Sequence, residues 1–240
     1  MRKAKRYIML LFCVAIGCTK ISAQDLAADL KKMQEYYKNM DRFDAKVAIK
    51  AIPKGHSTPF FTQEAEMKQE KLNIYYKTGG LTMVTNDKYT VWINEMSKRV
   101  FIKEHVKNEF KSKRGDAIKL TDSNLDSLFA TYDSTAYVGT SNGMKHYIVY
   151  DYDGDIVEAD IYLDVKTYYL KKAAYTYNDD EARGGGSRAE IEYTQFNTSP
   201  TFAKATFAIG KYVKIEGKSV TLQPNYRGYE LVIGQEPNAN

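Results

Sequence analysis

Cysteine is nearly absent from the sequence. Cys13 and Cys18 are the only two cysteines among the 240 residues. Both lie in an N-terminal segment that we expect to be removed by cleavage either after Ala23 or just before Cys18. The mature chain then has at most one thiol. This excludes disulfides, zinc or iron–sulfur sites built on cysteine, and a cysteine nucleophile, so stability must come from a hydrophobic core.

The N-terminal segment has the features of an export signal. Residues 1–23 carry five basic residues, no acidic residue, and an apolar run over residues 7–17 that is too short to span a bilayer. We predict a signal peptide over residues 1–23, cut after Ala23, and a mature protein in the periplasm. In the alternative, residues 15–18 are a lipoprotein box, and acylated Cys18 anchors the protein in the outer membrane.

Without this segment, the chain has no net excess of basic or acidic residues. The whole chain has 35 basic and 30 acidic residues, and removal of the five basic residues of the signal leaves 30 against 30. A nucleic-acid binder needs an excess of basic residues to neutralise phosphates. We therefore predict no nucleic-acid partner.

Groups that usually carry catalysis are scarce. Only three histidines are present, with no H-E-x-x-H motif, no close pair for a catalytic metal and no glycine-rich phosphate loop: His56, His105 and His146. No spacing of Asp and Glu singles out a catalytic pair. We predict a protein that is not an enzyme and that needs no cofactor and no metal.

Two short motifs invite a catalytic or metal interpretation. Residues 139–143 match G-x-S-x-G, but the residues after them alternate as a strand, which predicts a hairpin turn and not a nucleophile at Ser141. Residues 151–155 hold three aspartates, yet the glycine and the ligating glutamate of an EF-hand are not in their required places. A tight acidic turn is the preferred interpretation.

The mature chain begins with an amphipathic helix and continues with strands. Over residues 25–41 the apolar side chains recur at every third or fourth position, and a shorter helix is predicted over residues 122–132. Alternation then predicts a strand at residues 44–51. Further strand signals follow at residues 64–77, 81–85, 88–94, 99–104, 136–140, 145–152, 156–164, 168–177 and 188–196.

Consecutive strands with short turns favour an antiparallel sheet over β-α-β units. We predict a mainly β, α+β fold in one domain over residues 24–240. The prediction is a single curved antiparallel sheet of about nine to eleven strands, with no room for a second sheet. The N-terminal helix and the short second helix cover its dry face, and the resemblance described below makes this sheet an unclosed β-barrel with the two helices as lids.

Several stretches resemble the LolA-like family of periplasmic lipoprotein carriers. They are residues 29–33 leading into 43–47, residues 72–77, the hairpin of residues 86–94 with Trp92, and residues 202–209. The chain departs from the family at residues 77–79, where a basic latch run is missing, at Asp87 in place of a turn glycine, and at Gly210 in place of a proline. Residues 217–240 have no counterpart in the family pattern.

The resemblance implies an unclosed barrel that holds the acyl chains of lipoproteins or other lipids in an apolar concavity and moves them toward the outer membrane. Implied partners are loading and receiving proteins at the inner and outer membranes, and the protein is expected to be a monomer. The alternative is an interaction or assembly module on the same fold, without lipid. The residues expected to line the cavity or the lids are apolar: Met33, Tyr37, Val47, Ile49, Met83, Trp92, Leu125, Phe129, Ile161 and Ile191.

Overall fold

The computed structural model describes residues 23–105, 132–178 and 186–234. In this part of the chain, one α-helix, α1 (Ala23–Lys38), precedes the strands, and two short 3₁₀ helices lie near the end, at Ile209–Lys211 and Pro224–Tyr226. None of the described helices is both long and apolar enough to cross a membrane. The strands are β1 (Arg42–Ile52), β2 (Phe61–Glu70), β3 (Asn73–Thr78), β4 (Leu81–Thr85), β5 (Tyr89–Asn94), β6 (Arg99–Glu104), β7 (Ser134–Ser141), β8 (Met144–Tyr150), β9 (Ile156–Asp164), β10 (Leu170–Tyr177), β11 (Arg188–Asn197), β12 (Val213–Glu216), β13 (Ser219–Leu222) and β14 (Glu230–Ile233).

Twelve of these strands form one sheet in the order β14-β6-β5-β4-β3-β2-β1-β11-β10-β9-β8-β7. The sheet is curved but not closed, since its order begins and ends on different strands. The predicted unclosed barrel with an N-terminal helix is therefore confirmed. The second predicted helix lies outside the described residues, apart from Tyr132 at its end.

The described strands exceed the prediction: twelve form the main sheet, against about nine to eleven expected, and β12 and β13 form a second, two-stranded sheet. The main sheet also differs in two places. Residues 64–77 were expected as one strand signal but belong to two strands, β2 and β3, because Lys71 takes a positive φ of 53° and turns the chain back. Its N–H donates to the carbonyl of Asp41 over 2.6 Å. The last strand, β14, pairs in parallel with β6, where an all-antiparallel sheet was expected.

The turn between β7 and β8 is the predicted hairpin. Asn142 and Gly143 have φ values of 51° and 73°, the paired positive values of a two-residue turn between antiparallel strands. Ser141 ends β7 and Met144 begins β8. No helix follows Ser141, as the nucleophile interpretation would require.

The pairing of residues between neighbouring strands fixes the two faces of the sheet. Tyr147 of β8 pairs with Ile161 of β9, Ile161 with Ala173 of β10, Ala173 with Ile191 of β11, and Ile191 with Ile49 of β1. Paired residues lie on the same face of a sheet and their chain neighbours lie on the other. We call the face that carries these five side chains the helix face, because α1 packs on it.

The helix packs at the β7–β9 end of this face. Leu26 and Leu30 of α1 form a core with Tyr147 and Val149 of β8 and Leu163 of β9, and all five side chains are almost fully buried. The helical spacing of the leucines puts them on one side of α1, and the two-residue spacing along the strands puts their apolar side chains on one face of the sheet. These two apolar surfaces contact each other, as expected for an amphipathic helix on a sheet.

A second core lies at the other end of the sheet, on the opposite face. Val91 and Ile93 of β5 and Val100 and Ile102 of β6 are buried beneath Val213 of β12. The 3₁₀ helices and the hairpin β12–β13 contribute further apolar side chains to this core. Residues 209–226, for most of which no element was predicted, therefore cover the β5–β6 end of the face opposite α1, while β14 extends the sheet itself.

The turn geometry predicts that Gly143→Ala destabilises the protein by about 1 kcal/mol, because alanine is strained at a φ of 73°. Urea midpoints measure the change. Ser141→Ala, two residues before it at the end of β7, is the control and should stay within about 0.5 kcal/mol of wild type. Equal midpoints for Gly143→Ala and wild type would contradict the turn assignment.

Candidate functional site

An unbroken row of apolar side chains crosses seven strands of the helix face. Each residue pairs with the next across neighbouring strands, from β11 through β1, β2, β3, β4 and β5 to β6. With strands about 4.8 Å apart, the row is about 29 Å long, close to the hydrocarbon thickness of a bilayer and so about twice the reach of one acyl chain. We call it the apolar row, and its members are Phe196, Ala45, Met67, Tyr76, Met83, Trp92 and Phe101.

The apolar row belongs to neither core. Among the described residues, its members appear neither in the core under α1 nor in the core under the C-terminal segment. Ala45 is fully buried, whereas the other six side chains are half-buried. The row therefore offers partly exposed apolar surface between two packed ends of the same sheet.

The structure brings most of the predicted site residues onto this face. Met83 and Trp92 are direct cross-strand partners within the apolar row. Ile49 pairs with Ile191 in the next accessible row, and Val47, at 6% exposure, lies between the two rows on β1. Leu125 and Phe129 lie outside the described residues.

Two other predicted site residues are placed in the packing of α1. Met33 and Ile161 contact the core formed by the helical leucines. Both side chains therefore lie in the contact between α1 and the sheet and not in the apolar row. A substitution such as Ala159→Trp, at a position that also packs on this core, would disturb the helix contact before it could reach a ligand.

Tyr37 lies at the centre of an aromatic cluster at the end of α1. Its ring centroid is 5.4 Å from that of Tyr169 and 6.2 Å from that of Phe196, while Phe43 stacks on Phe196 at 5.9 Å. Burial raises the pKa of Tyr37, and its phenol oxygen is hydrogen-bonded to the backbone of Leu170. The cluster joins the last turn of α1 to the first member of the apolar row.

A buried carboxylate ties α1 to the sheet. Asp29, at 3% exposure, accepts hydrogen bonds from Lys145 Nζ at 2.5 Å and from the Tyr147 hydroxyl at 2.7 Å, both on β8. Lys32 Nζ lies 3.4 Å from the same carboxylate and also lies over the ring of Tyr168. The carboxylate of Asp29 on the helix and the ammonium of Lys145 on the sheet thus tie α1 to β8.

The surroundings of Asp29 lower its pKa. Burial by itself raises the pKa, but hydrogen bonds from Lys145 and Tyr147 and the charge of Lys145 outweigh burial and hold the pKa below 3.8. The carboxylate is therefore charged at neutral pH, and its protonation weakens the attachment of the helix.

Sequence reasoning missed two tyrosines on the helix face. Tyr193 of β11 pairs with Val47, and Tyr175 of β10 pairs with Ala189, so both lie on the helix face. Burial raises the pKa of each phenol. Their alternation with Ile191 and Ala173 is the signal that could have placed them on this face.

The opposite face of the same strands is polar. Asp160, at 6% exposure, is 2.6 Å from His146 Nε2 and accepts a hydrogen bond from Arg188 Nη2 at 2.7 Å. Arg188 also contacts Glu190, which pairs with Lys172. Within the described residues no group of three His, Cys, Asp or Glu side chains is placed to hold a metal ion.

The chain is similar to several solved structures at low identity. An uncharacterised conserved protein of Thermus thermophilus has a TM-score of 0.44 and 8% identity, over 87% of this chain and 99% of that one. MucB in the MucA/MucB complex of Pseudomonas aeruginosa has a TM-score of 0.42 and 15% identity, over 83% of this chain and 63% of that one. A LolA superfamily protein of Nitrosomonas europaea has a TM-score of 0.30 and 11% identity, over 78% and 98%. No family model and no curated protein matches the chain.

The attachment of α1 predicts a pH-dependent loss of stability in Asp29→Asn. Hydrogen bonds to a charged group contribute about 1.5–3 kcal/mol, and the variant should lose an amount in this range at pH 7. Because the folded pKa lies below 3.8, the difference from wild type is fully present above about pH 4 and shrinks as the pH falls through the folded pKa.

Urea titrations from about pH 3 to pH 7 measure this difference. Asp41→Asn, which changes an exposed carboxylate just after the helix, is the matched control and should stay within about 0.5 kcal/mol of wild type. A pH-independent difference for Asp29→Asn would show that its charge does not hold the helix.

Proposed function

We propose that this protein is an exported, non-enzymatic carrier that binds the acyl chains of lipids or lipoproteins along the apolar row. The observation that carries the proposal is the row itself: seven paired side chains on the helix face, six of them half-buried, between two cores that exclude them. A close-packed domain normally buries such a continuous apolar strip. A bound hydrocarbon chain would bury the exposed part of these side chains.

The energetics favour a long apolar ligand over a small polar one. Each buried CH₂ contributes about 0.8 kcal/mol, so burial of about ten methylenes on the row gives the roughly 8 kcal/mol of micromolar binding, before the cost of association. The polar groups at the helix attachment on the same face, Asp29 and Lys145, are already paired with each other. The described site thus supports binding and transport of the acyl chain and not its cleavage.

Trp92 provides the measurement. It is the only tryptophan in the chain and lies within the apolar row opposite Met83. An acyl chain on the row would change its emission or transfer energy from it to a fluorescent fatty-acyl probe. Binding can therefore be followed without attaching a label to the protein.

Met83 and Val84 form a matched pair of variants, because they are neighbours in β4 on opposite faces. Met83→Ala removes ligand contact, and we expect the acyl probe to bind about tenfold more weakly with a loss of stability below the 2–5 kcal/mol of a packed methionine. Val84 is fully buried, and Val84→Ala should lower stability by about 2 kcal/mol while leaving the affinity of the folded protein unchanged.

Two outcomes would contradict the carrier. One is that the wild-type protein binds no acyl probe. The other is that Met83→Ala loses stability like a core variant while its binding changes only in proportion. In either case the row is ordinary packing, and the interaction or assembly module becomes the better proposal.

We also propose that the mature chain starts at Gln24. The basic start, the short apolar run and Ala23 support a signal peptide over residues 1–23. Mass spectrometry of the protein purified from cell envelopes should find this N-terminus and no lipid. A diacylglyceryl mass on Cys18, with membrane retention lost in Cys18→Ala, would instead establish the lipid anchor.

A further inference from the structure

An open cleft of about 530 Å³ lies in the C-terminal segment, and its volume is in the usual range of ligand sites. We call it the tyrosine cleft, and its lining side chains are Lys211, Tyr212, Gln223, Pro224, Asn225 and Tyr226. Both tyrosines pack on the core under the C-terminal segment, which lies on the face of the sheet opposite the apolar row. The tyrosine cleft is therefore separate from the proposed acyl site.

Hydrogen bonds join the two walls of the tyrosine cleft. The backbone N–H of Gln223 donates to the carbonyl of Tyr212 over 2.9 Å, and its side-chain amide donates to the carbonyl of Gly210 over 2.7 Å. The pairing of Val213 with Leu222 continues this contact into the β12–β13 hairpin. Because the fold itself holds the walls together, a ligand has little chain to order when it binds.

Tyrosine rings supply the apolar surface of the cleft. The ring centroid of Tyr226 is 5.7 Å from that of Tyr212 and 5.3 Å from that of Tyr229, which stands edge-on to it. Tyr212 and Tyr226 are half-buried, since they contact the core and also line the cleft. Pro224 is exposed beside them. Aromatic-lined grooves of this kind bind proline-rich segments in the polyproline II conformation.

The polar groups of the cleft can donate hydrogen bonds. They are the ammonium of Lys211, the amide of Asn225 and the phenols of Tyr212 and Tyr226. Among the described residues, no carboxylate lines the cleft, and these four side chains have no hydrogen bond or ion pair with another residue. A saccharide would bring hydroxyl donors that need acceptors. A polyproline II segment brings carbonyl acceptors, because it has no internal hydrogen bonds and its prolines have no N–H.

We propose that the tyrosine cleft binds a proline-rich segment of a partner protein in the polyproline II conformation. The tyrosine rings and Pro224 contact the proline rings, while Lys211, Asn225 and the phenols donate to the carbonyls of the segment. This inference goes beyond the carrier function and does not depend on it, because the acyl chain and the segment lie on opposite faces of the sheet.

The probe is decaproline with a fluorescein label, and fluorescence anisotropy follows its binding to the purified protein. A Gly-Ser decapeptide with the same label is the control peptide, because it has the same length but is flexible and has no proline rings. We expect saturable binding of decaproline and no binding of the Gly-Ser peptide.

Asn225→Ala and Tyr226→Phe test the hydrogen-bond donors. The Asn225 side chain is exposed, and phenylalanine keeps the ring of residue 226 on the core, so both variants should have wild-type urea midpoints. Each should bind decaproline about 2- to 12-fold more weakly, the range of one net hydrogen bond. Tyr229→Phe is the matched control and should keep wild-type affinity, because Tyr229 packs on the same core without lining the cleft.

Four outcomes would overturn the inference: no saturable binding of decaproline, equal binding of the Gly-Ser peptide, wild-type affinity in both test variants, or the same loss in Tyr229→Phe. Maltohexaose tests the other ligand class. If it binds wild type and not Asn225→Ala while decaproline does not bind, the cleft is a saccharide site and the inference is wrong.

The fluorescent acyl probe is titrated into the same four proteins. Its affinity should be equal in all of them, since the substitutions lie on the face opposite the apolar row. If wild type binds no acyl probe, the carrier function is wrong, and the decaproline titrations still decide the inference about the cleft.

Discussion

The fold depends on the cross-strand pairing that joins twelve strands into one sheet. Because side chains alternate along each strand between the register shifts, this pairing decides which residues meet α1, which meet the C-terminal segment and which are left between them. A shift of one residue in β4 would exchange Met83 with Val84 and turn the apolar row toward the wrong face. The site is thus a property of strand pairing and not of any one loop.

The two covers of the sheet lie on opposite faces and at opposite ends. The helix buries the β8–β9 part of one face, and the β12–β13 hairpin buries the β5–β6 part of the other. Opposite the helix, the face is polar and carries the network of Asp160 and Arg188. This offset arrangement covers part of each face of the one-layer sheet. Within the described residues, it leaves the side chains of the apolar row from Met67 to Phe101 half-buried and outside both cores.

Much of the fold could be predicted from the sequence, because alternation and helical spacing are local signals. The bounds of β4, β6 and β9 agree with the predicted segments to the residue, and Met83 and Trp92 stand at alternating positions that share a face. The turn at Lys71 could not be predicted, since a lysine with positive φ gives no glycine or proline signal. Asp29 gave no signal either, because its role depends on Lys145, more than 100 residues away. The parallel pairing of β14 likewise comes from tertiary structure, which no local periodicity encodes.

Ligand binding and stability are linked in such an arrangement. Under the proposed function, an acyl chain on the apolar row binds the folded sheet and not the unfolded chain, so a ligand at about 100 times its dissociation constant would add about 2.7 kcal/mol of stability. The helix attachment at Asp29 is made to β8, outside the strands that carry the row, so the core under α1 holds the fold independently of a ligand. The proposed carrier needs this separation, because it must remain folded after it has released its cargo.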